Sequence, residues 1–217
     1  MSAAERRRKI LDEIAAATKP ARREAEEVQL IAVSKTRSAE QIEELISAGQ
    51  RDFGESRVQE ALEKWPSLLA RHPGVRLHCI GRLQSNKAAE AVRLFDVIHS
   101  VDRPSLLDAL AKEAVKEDRF PAVFVQVNIG DEEQKGGCPI GELGSLVEAV
   151  RSTPIPLAGL MAIPPLGVEA APFFALLAKL AENHGVAGLS MGMSGDFKPA
   201  VMLGATAVRI GTALFEG

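Results

Sequence analysis

The chain of 217 residues contains no tyrosine, a single tryptophan, two cysteines and four histidines. Without tyrosine there is no phenol to give or take a proton. Cys79 and Cys138 form neither a CxxC pair nor a metal-ligand spacing, which excludes a zinc centre or dithiol of those kinds. Cys79 sits in an apolar run and is expected as a buried small hydrophobe. Cys138 follows Lys135, Gly136 and Gly137 and is expected at the surface. A reducing compartment suits both thiols. No apolar run approaches the ~20 residues that cross a bilayer, and the charged N-terminus lacks the apolar stretch of a signal peptide. A cytoplasmic protein without membrane contact is the expectation. An excess of one charge is missing too. The net charge is −3 and the pI about 5.9, so no global basic field draws the chain to nucleic acid or anionic lipid. The cluster Arg6, Arg7, Arg8, Lys9 is offset by Glu5, Asp12 and Glu13 and reads as a solvated helix face.

What is present is the material of one large domain. Hydrophobic residues make up 46% and charged residues 25%. Short β-rich runs alternate with amphipathic stretches. Strands are predicted at Leu30 to Ser34, Arg51 to Gly54, Arg76 to Gly81, Asp96 to Val101, Ala122 to Ile129, Leu157 to Ile163, Gly188 to Met193 and Ala207 to Phe215. Between them the spacing predicts helices at Ser38 to Ala48, Glu55 to Leu69, Asn86 to Leu94, Pro104 to Lys116, Ile140 to Arg151, Val168 to His184 and Phe197 to Leu203. Ser38 with Gln41 forms a capping box, Gly49 a stop, and Asp102 a cap ahead of Pro104.

Strand–helix alternation of this kind implies right-handed βαβ units and a parallel sheet. Eight repeats in this length fit a closed α/β (β/α)8 TIM barrel of minimal size, with an open doubly wound sheet as the alternative. The eighth strand ends almost at the C-terminus and lacks a partner helix. A helix over Ala3 to Thr18, ended near Pro20, could cover that gap, so about 1–29 is expected to pack on the barrel. No linker or repeat divides the chain, and one domain over 1–217 is the economical reading.

In a parallel barrel the chemistry sits at the C-terminal ends of the strands, and a phosphate site commonly forms after strands seven and eight. Unusual residues fall at those ends. Lys35 follows the apolar Ile31, Ala32 and Val33, and alternation points Ile31, Val33 and Lys35 to one side, inward at the top. A lysine partly desolvated there would have a lowered pKa and could attack an aldehyde. A lysine snorkelling out of a strand end is the simpler account of this feature taken alone. The glycine-rich Ser190 to Asp196 segment can turn N–H groups toward one point, with hydroxyls on Ser190, Ser194 and Thr212 and close approach at Gly211. It also fits a tight strand-to-helix turn. Arg209 stands inside an apolar strand and must be paired or touch a ligand. His78 and His99 fit satisfied core histidines. Asp52 and Glu55 could form a carboxylate pair. Gly81 to Lys87 is a polar loop on the working face, Pro164-Pro165 a rigid turn, and Met161 a core filler beside it.

These segments resemble the pyridoxal 5′-phosphate (PLP) homeostasis protein family, whose barrel is of the alanine-racemase type. The resemblance is carried by Ala32 to Thr36, Gly54-Glu55-Ser56, Val58-Gln59-Glu60, His78 to Lys87, Gly159-Leu160-Met161, Leu189 to Ser194 and Val208 to Phe215, in order along nearly the whole chain. It implies PLP as cofactor, held as a Schiff base on Lys35. Ser190, Ser194, Gly211 and Thr212 would hold the phosphate, Arg209 would face the pyridine nitrogen, and Met161 and Met191 would line the site. A permanent cation opposite that nitrogen would keep it unprotonated and weaken PLP as an electron sink. Two departures stand out. The family usually has Asn-Tyr where this chain has Ser56-Arg57, and a tryptophan where it has Leu77.

Alanine racemase resembles this barrel but adds a β-domain and uses a tyrosine opposite its lysine. A two-base racemase needs proton donors on both faces of the carbanion. This chain has no tyrosine, and it ends directly after strand eight, with no room expected for a second domain. A histidine or cysteine could substitute, so racemisation stays open as an alternative. A PLP carrier or buffer fits better, acting in cofactor homeostasis without substantial turnover, with PLP-dependent apo-enzymes open as recipients and a monomer expected. A second alternative is a barrel enzyme in which Lys35 forms a Schiff base with a phosphorylated metabolite.

Overall fold

The computed structural model describes residues 1–216; Gly217, the last residue of the expected domain, lies outside them. The first helix, α1, spans Ala3–Thr18 and is set by a capping box, with Glu5 N–H donating to Ser2 Oγ and Ser2 N–H to Glu5 Oε2. It buries Ile10, Ile14 and Ala17. After Pro20 only a single 3-10 turn, Ala25–Glu27, precedes the first strand.

Eight strands follow: β1 Gln29–Val33, β2 Asp52–Glu55, β3 Arg76–Cys79, β4 Val97–Val101, β5 Ala122–Gln126, β6 Leu157–Met161, β7 Gly188–Met193 and β8 Ala207–Ile210. They pair in sequence order, all parallel, and β8 closes on β1 with Ile31 opposite Arg209. The helices between them are α2 Ala39–Ser47, α3 Val58–Arg71, α4 Ala88–Leu94, α5 Pro104–Glu117, α6 Leu143–Arg151, α7 Ala171–Asn183 and α8 Phe197–Met202, with a short α9, Thr212–Phe215, after β8. This is the closed (β/α)8 barrel rather than the open sheet.

Alternation along each strand sorts the side chains into two layers. Phe53, Leu77, Ile98, Val123, Leu160 and Val208 join the apolar layer between strands and helices. The opposite faces carry the barrel interior, including Ile31, His99, Phe124, Ser190 and Arg209. Two glycines shape this interior. A Cβ on Gly159 would meet Gly188 O at 2.2 Å and Phe124 Cε1 at 2.6 Å. The space a side chain would take is filled by the Phe124 ring, on which His99 stacks with centroids 4.4 Å apart.

Helix α1 packs against α2, α8 and α9, in the place where β8 lacks a full helix. Arg6 Nε donates to Leu214 O at 2.7 Å, and Arg23 Nη1 donates to Val201 O and Ala205 O, both at 3.0 Å. The basic cluster is therefore not simply a solvated face: Arg6 ties α1 to α9, and Arg7 donates to Gln50 Oε1.

Several boundaries differ from expectation for physical reasons. The eighth strand stops at Ile210 because Gly211, at φ −107° and ψ −89°, leaves the extended course, and the apolar residues beyond it form α9. Periodicity alone cannot separate a short apolar strand from a short buried helix. The fifth strand stops at Gln126 because the chain after it folds back, with Cys138 N–H donating to Gln126 O and Asn128 N–H to Cys138 O. Gly137 permits this at φ +120°; a Cβ there would lie 2.4 Å from Asn128 N. Cys138 is consequently buried rather than exposed, and burial pushes its thiol up to about 12. Asp102 does not cap α5. Arg103 occupies the N-cap position, and Asp102 accepts from Arg103 Nη1 and from Gly137 N–H. No helix among the described residues is long and apolar enough to cross a membrane.

The glycine contact gives a first prediction. Gly159→Ala destabilises the fold by about 3 kcal/mol or more, because backbone rather than a flexible side chain must yield. Urea unfolding of the variant measures it; a loss within the scatter of surface substitutions would show that the barrel wall can relax there.

Candidate functional site

At the C-terminal end of β1 the chain leaves the sheet and turns at Lys35 and Thr36. Lys35 is exposed in this turn, so burial does not supply the desolvation that strand alternation suggested. The turn itself is constrained. Thr36 adopts φ +61°, a left-handed conformation that costs a β-branched residue about 1–3 kcal/mol. Helix α3 holds it from behind. Glu60 Oε1 accepts from Thr36 N–H at 2.6 Å, and Lys64 Nζ donates to Ser34 O at 2.9 Å and Arg37 O at 3.4 Å. Lys64 is itself fixed by the fully buried Glu55, at 2.8 Å. The same Glu55 Oε1 accepts from Ser34 Oγ at 2.7 Å and Trp65 Nε1 at 2.9 Å. The Gly-Glu and Glu-x-x-x-Lys elements of β2 and α3 thus converge on the segment that carries Lys35.

Glu55 and Asp52 do not form a carboxylate pair. Glu55 faces the helix layer, whereas Asp52 faces the barrel interior and contacts His78. Burial alone would raise the Asp52 pKa, but hydrogen bonds from His78 and Arg76 outweigh it and hold the carboxyl below its ordinary value.

On the adjacent strand β8, Arg209 is 4% exposed. Its Nη1 donates to Ser190 Oγ at 2.5 Å and its Nη2 to Ala162 O at 3.1 Å. Among the described residues no carboxylate forms an ion pair with it. Burial pushes its pKa down to about 10, with Asp196 acting weakly in the opposite direction. A buried cation without a counter-ion is the arrangement expected of a ligand contact rather than of a structural ion pair.

Ser190 is fully buried, and its hydroxyl is engaged by Arg209 and by His99 at 2.8 Å. It backs the guanidinium and does not belong to the exposed turn. Met161, paired with Ser190 in the sheet, is buried on the same inner face. Met191 points the other way, into the apolar layer under the helices, so only its backbone can reach the mouth. The turn after β7 places Ser194 and Gly195 in solvent, and Gly211 and Thr212 open α9 beside it. Pro199 has no N–H and Leu214 N–H already donates to Gly211 O, but the N–H groups of Phe197 and Lys198 at the start of α8, and of Thr212 and Ala213 at the start of α9, have no intrahelical acceptors. With the hydroxyls of Ser194 and Thr212 they make a donor set without an acidic partner, apart from Asp196, whose Oδ1 is taken by Met193 N–H at 2.6 Å.

Beside this mouth lie two cavities. One, of about 410 Å³, is bounded by Ser56, Gly81, Arg82, Asn128 and Lys135. The other, of about 700 Å³, lies between Pro164 to Val168 and the turn at Met193 to Asp196. The polar loop after β3 thus reaches the working face through Arg82. Leu77, which replaces an aromatic residue of the resembling family, is buried in the apolar layer. The role of Lys64, Glu60 and Trp65 was missed in the sequence. Its only signal was helical spacing: Glu60 and Lys64 are four apart, with Trp65 next, on a helix that returns past β1.

A family model described as alanine racemase, N-terminal domain, matches residues 10–217. The chain is 43% identical over 213 residues to the pyridoxal phosphate homeostasis protein of Pseudomonas aeruginosa, covering 95% of this chain and 92% of the relative. It is 39% identical to the protein of the same name from Aquifex aeolicus, covering 99% and 98%. Among solved structures, PipY of Synechococcus elongatus with PLP bound superposes with a TM-score of 0.79 at 40% identity, over 87% of this chain and 92% of that one. The alanine racemase of Clostridium difficile shares the fold alone, with a TM-score of 0.68 at 15% identity, and extends well beyond it: the match covers 56% of that chain. A family match over residues 10–217, with 43% and 39% identity along almost the whole length of the first two relatives, establishes that the chain belongs to the alanine racemase N-terminal-domain family, among the pyridoxal phosphate homeostasis proteins.

Proposed function

We propose that this protein binds PLP at the C-terminal mouth of its barrel and acts in PLP homeostasis as a carrier or buffer, without substantial turnover. The observation that carries the reading is Arg209, a buried guanidinium with no carboxylate partner among the described residues, on the strand that pairs with the one leading into Lys35. The residues present fit the cofactor. Lys35 supplies the amine for a Schiff base, and Ser194, Gly211 and Thr212, with the adjoining N–H groups, supply donors for a phosphate. Arg209 faces the ring, with Ser190 bracing it, and Met161 and the backbone at Met191 complete the inner wall. When bound, PLP supplies an aldehyde that condenses reversibly with amines.

The arrangement of proton donors supports a carrier over a racemase. Of the four histidines, His78 and His99 are buried inside the barrel, and His72 and His184 end α3 and α7, at the opposite face of the barrel. Both cysteines are buried, and burial pushes each thiol up to about 12, too high for a base at neutral pH. No tyrosine exists to replace them. None of the residue types expected to serve as a second base therefore stands at the mouth among the described residues. The same buried, unpaired thiols suit a reducing, cytoplasmic setting. We further propose that the single domain works as a monomer, with the segment over about 1–29 as part of the barrel's outer layer, and that PLP-dependent apo-enzymes receive the cofactor.

Addition of PLP to the purified protein should give a near-visible absorption band. Borohydride reduction and peptide mass mapping should then place the adduct on Lys35, and Lys35→Ala should abolish it while the protein stays folded. An adduct scattered over surface lysines would sink the reading. Arg209→Ala should shift the band and weaken PLP binding about tenfold or more, the scale of a lost charge-assisted hydrogen bond. An unaltered spectrum and affinity would remove Arg209 from the site. Lys64→Met leaves Glu55 buried without its cation and should cost about 3–5 kcal/mol. Adding Glu55→Gln should recover part of that stability but not the rate of adduct formation on Lys35, because the ammonium that ties Ser34 and Arg37 is still absent. Equal recovery of both would show that the network supports the fold alone.

A further inference from the structure

A row of polar side chains crosses the barrel interior from its N-terminal mouth to Arg209. Arg76 Nε, exposed at the start of β3, meets Asp52 Oδ1 at 2.8 Å. Asp52 Oδ1 lies 3.1 Å from His78 Nε2, and His78 Nδ1 lies 3.0 Å from His99 Nε2. His99 Nδ1 lies 2.8 Å from Ser190 Oγ, which accepts from Arg209 Nη1. Both histidines are 1% exposed or less, and one face of His99 stacks on Phe124.

Hydrogen accounting along this row leaves one solution. An ionised carboxylate only accepts, so His78 carries its hydrogen on Nε2. A neutral ring has a single N–H, so His78 Nδ1 is bare and must accept from His99 Nε2–H. His99 Nδ1 is then bare and must accept from the Ser190 hydroxyl. The Ser190 oxygen is left with lone pairs for Arg209. Every donor has an acceptor, and no hydrogen is left over. The reverse assignment needs a doubly protonated His78. It would point both His99 Nδ1–H and Arg209 N–H at the Ser190 oxygen and leave the Ser190 hydroxyl without an acceptor among the described residues. It would also bury a further cation in a row that already holds Arg76 and Arg209 against a single carboxylate. Burial above all, reinforced by the Arg209 charge, holds the His99 pKa well below its ordinary value, which keeps that ring neutral.

We propose that Asp52, His78 and His99 form a tautomer-locked relay of positioning residues that makes Ser190 an obligate acceptor for Arg209, so that a carboxylate at the far mouth of the barrel fixes the guanidinium at the cofactor end. The relay rests on the PLP reading only for what Arg209 faces; the hydrogen assignment holds for the empty barrel as well. It fixes the guanidinium N–H held on Ser190, while a second N–H is held separately by Ala162 O. It also commits the Ser190 hydroxyl inward, which removes it from the set of donors free to hold a phosphate.

The test begins with the unmodified protein without PLP. Long-range ¹H–¹⁵N correlation spectra of histidine-labelled protein at neutral pH should show both His78 and His99 protonated on Nε2 with bare Nδ1. A hydrogen on His99 Nδ1, or a doubly protonated His78, would overturn the relay. The second step uses Asp52→Asn and His99→Phe, the latter keeping a ring to stack on Phe124. In Asp52→Asn the His99 tautomer should become mixed. In both variants the near-visible band of the PLP complex should shift and PLP should bind about fivefold to tenfold more weakly, the size of one lost hydrogen bond, with the adduct still on Lys35. An unshifted band and unchanged affinity in both variants would overturn the coupling to Arg209. If the unmodified protein gives no band, the PLP reading fails, and the relay is then decided by the tautomers alone.

Discussion

A guanidinium inside a barrel has lost its water, and something must replace that solvation. At Arg209 the replacement is two neutral oxygens, Ser190 Oγ and Ala162 O, and no carboxylate. Burying a charge on these terms is costly in proportion to the solvation left unreplaced. Much of the surrounding interior follows from this constraint. The Ser190 hydroxyl must keep its lone pairs for Arg209, so its hydrogen has to go elsewhere, and His99 is there to take it. His99 in turn needs a flat partner and a neutral environment, which the Phe124 ring provides. Phe124 needs room, which Gly159 provides by having no side chain. The glycine contact, the aromatic stack and the polar row are therefore successive consequences of one buried cation.

On the neighbouring strand, β1, the constraint is reversed. Lys35 is exposed and mobile by nature, and a reacting amine gains from being held in one place. Here the fixing comes from outside the barrel. Helix α3 returns past β1 and presents Glu60 and Lys64 to the backbone on both sides of Lys35, while the buried Glu55 anchors Lys64. The left-handed Thr36 is tolerated because Glu60 accepts its N–H. Of these two neighbouring strands, one is thus set by side chains within the interior, the other by backbone braced from the helix layer. A cofactor spanning the mouth would meet two rigid edges built by different means.

How much of this the sequence discloses depends on the range of the signal. Strand order and the closed barrel were legible because alternation of β-rich and amphipathic runs is local and repeated, and Gly188 to Met193 matches its strand to the residue. Boundaries failed where the apolar pattern was too short to separate strand from helix, as at Thr212 to Phe215. They failed too where glycine let the chain fold back, as at Gly137, which buried Cys138 against expectation. Lys35 and Arg209 stood out because a charge at the end of, or inside, an apolar strand is a local anomaly. Their supports did not stand out. Asp52 and Glu55 are three residues apart, so alternation would put them on opposite faces, but the strand was expected to end at Gly54, which left Glu55 outside it. His78 and His99 were legible as core histidines, but their contact joins adjacent strands, and its link to Ser190 spans 91 residues.

The division of labour bears on the proposal that this barrel holds a reactive aldehyde without using it. Turnover on an amino acid needs a group that moves protons at the mouth and an electron sink at the ring. The histidines that could have moved protons are locked behind Arg209, each ring nitrogen matched to a fixed neighbour, and the cysteines are sealed with raised pKa values. The cation that Arg209 presents is fixed in place by the same row and, pushed only to about 10, remains charged at neutral pH. A permanently charged donor toward a pyridine nitrogen opposes its protonation, and with it the withdrawal of electrons that carbanion chemistry requires. On the carrier reading, tight positioning and weak chemistry would share an origin: the histidines that would have to titrate during turnover are those proposed to hold Arg209 in position through Ser190.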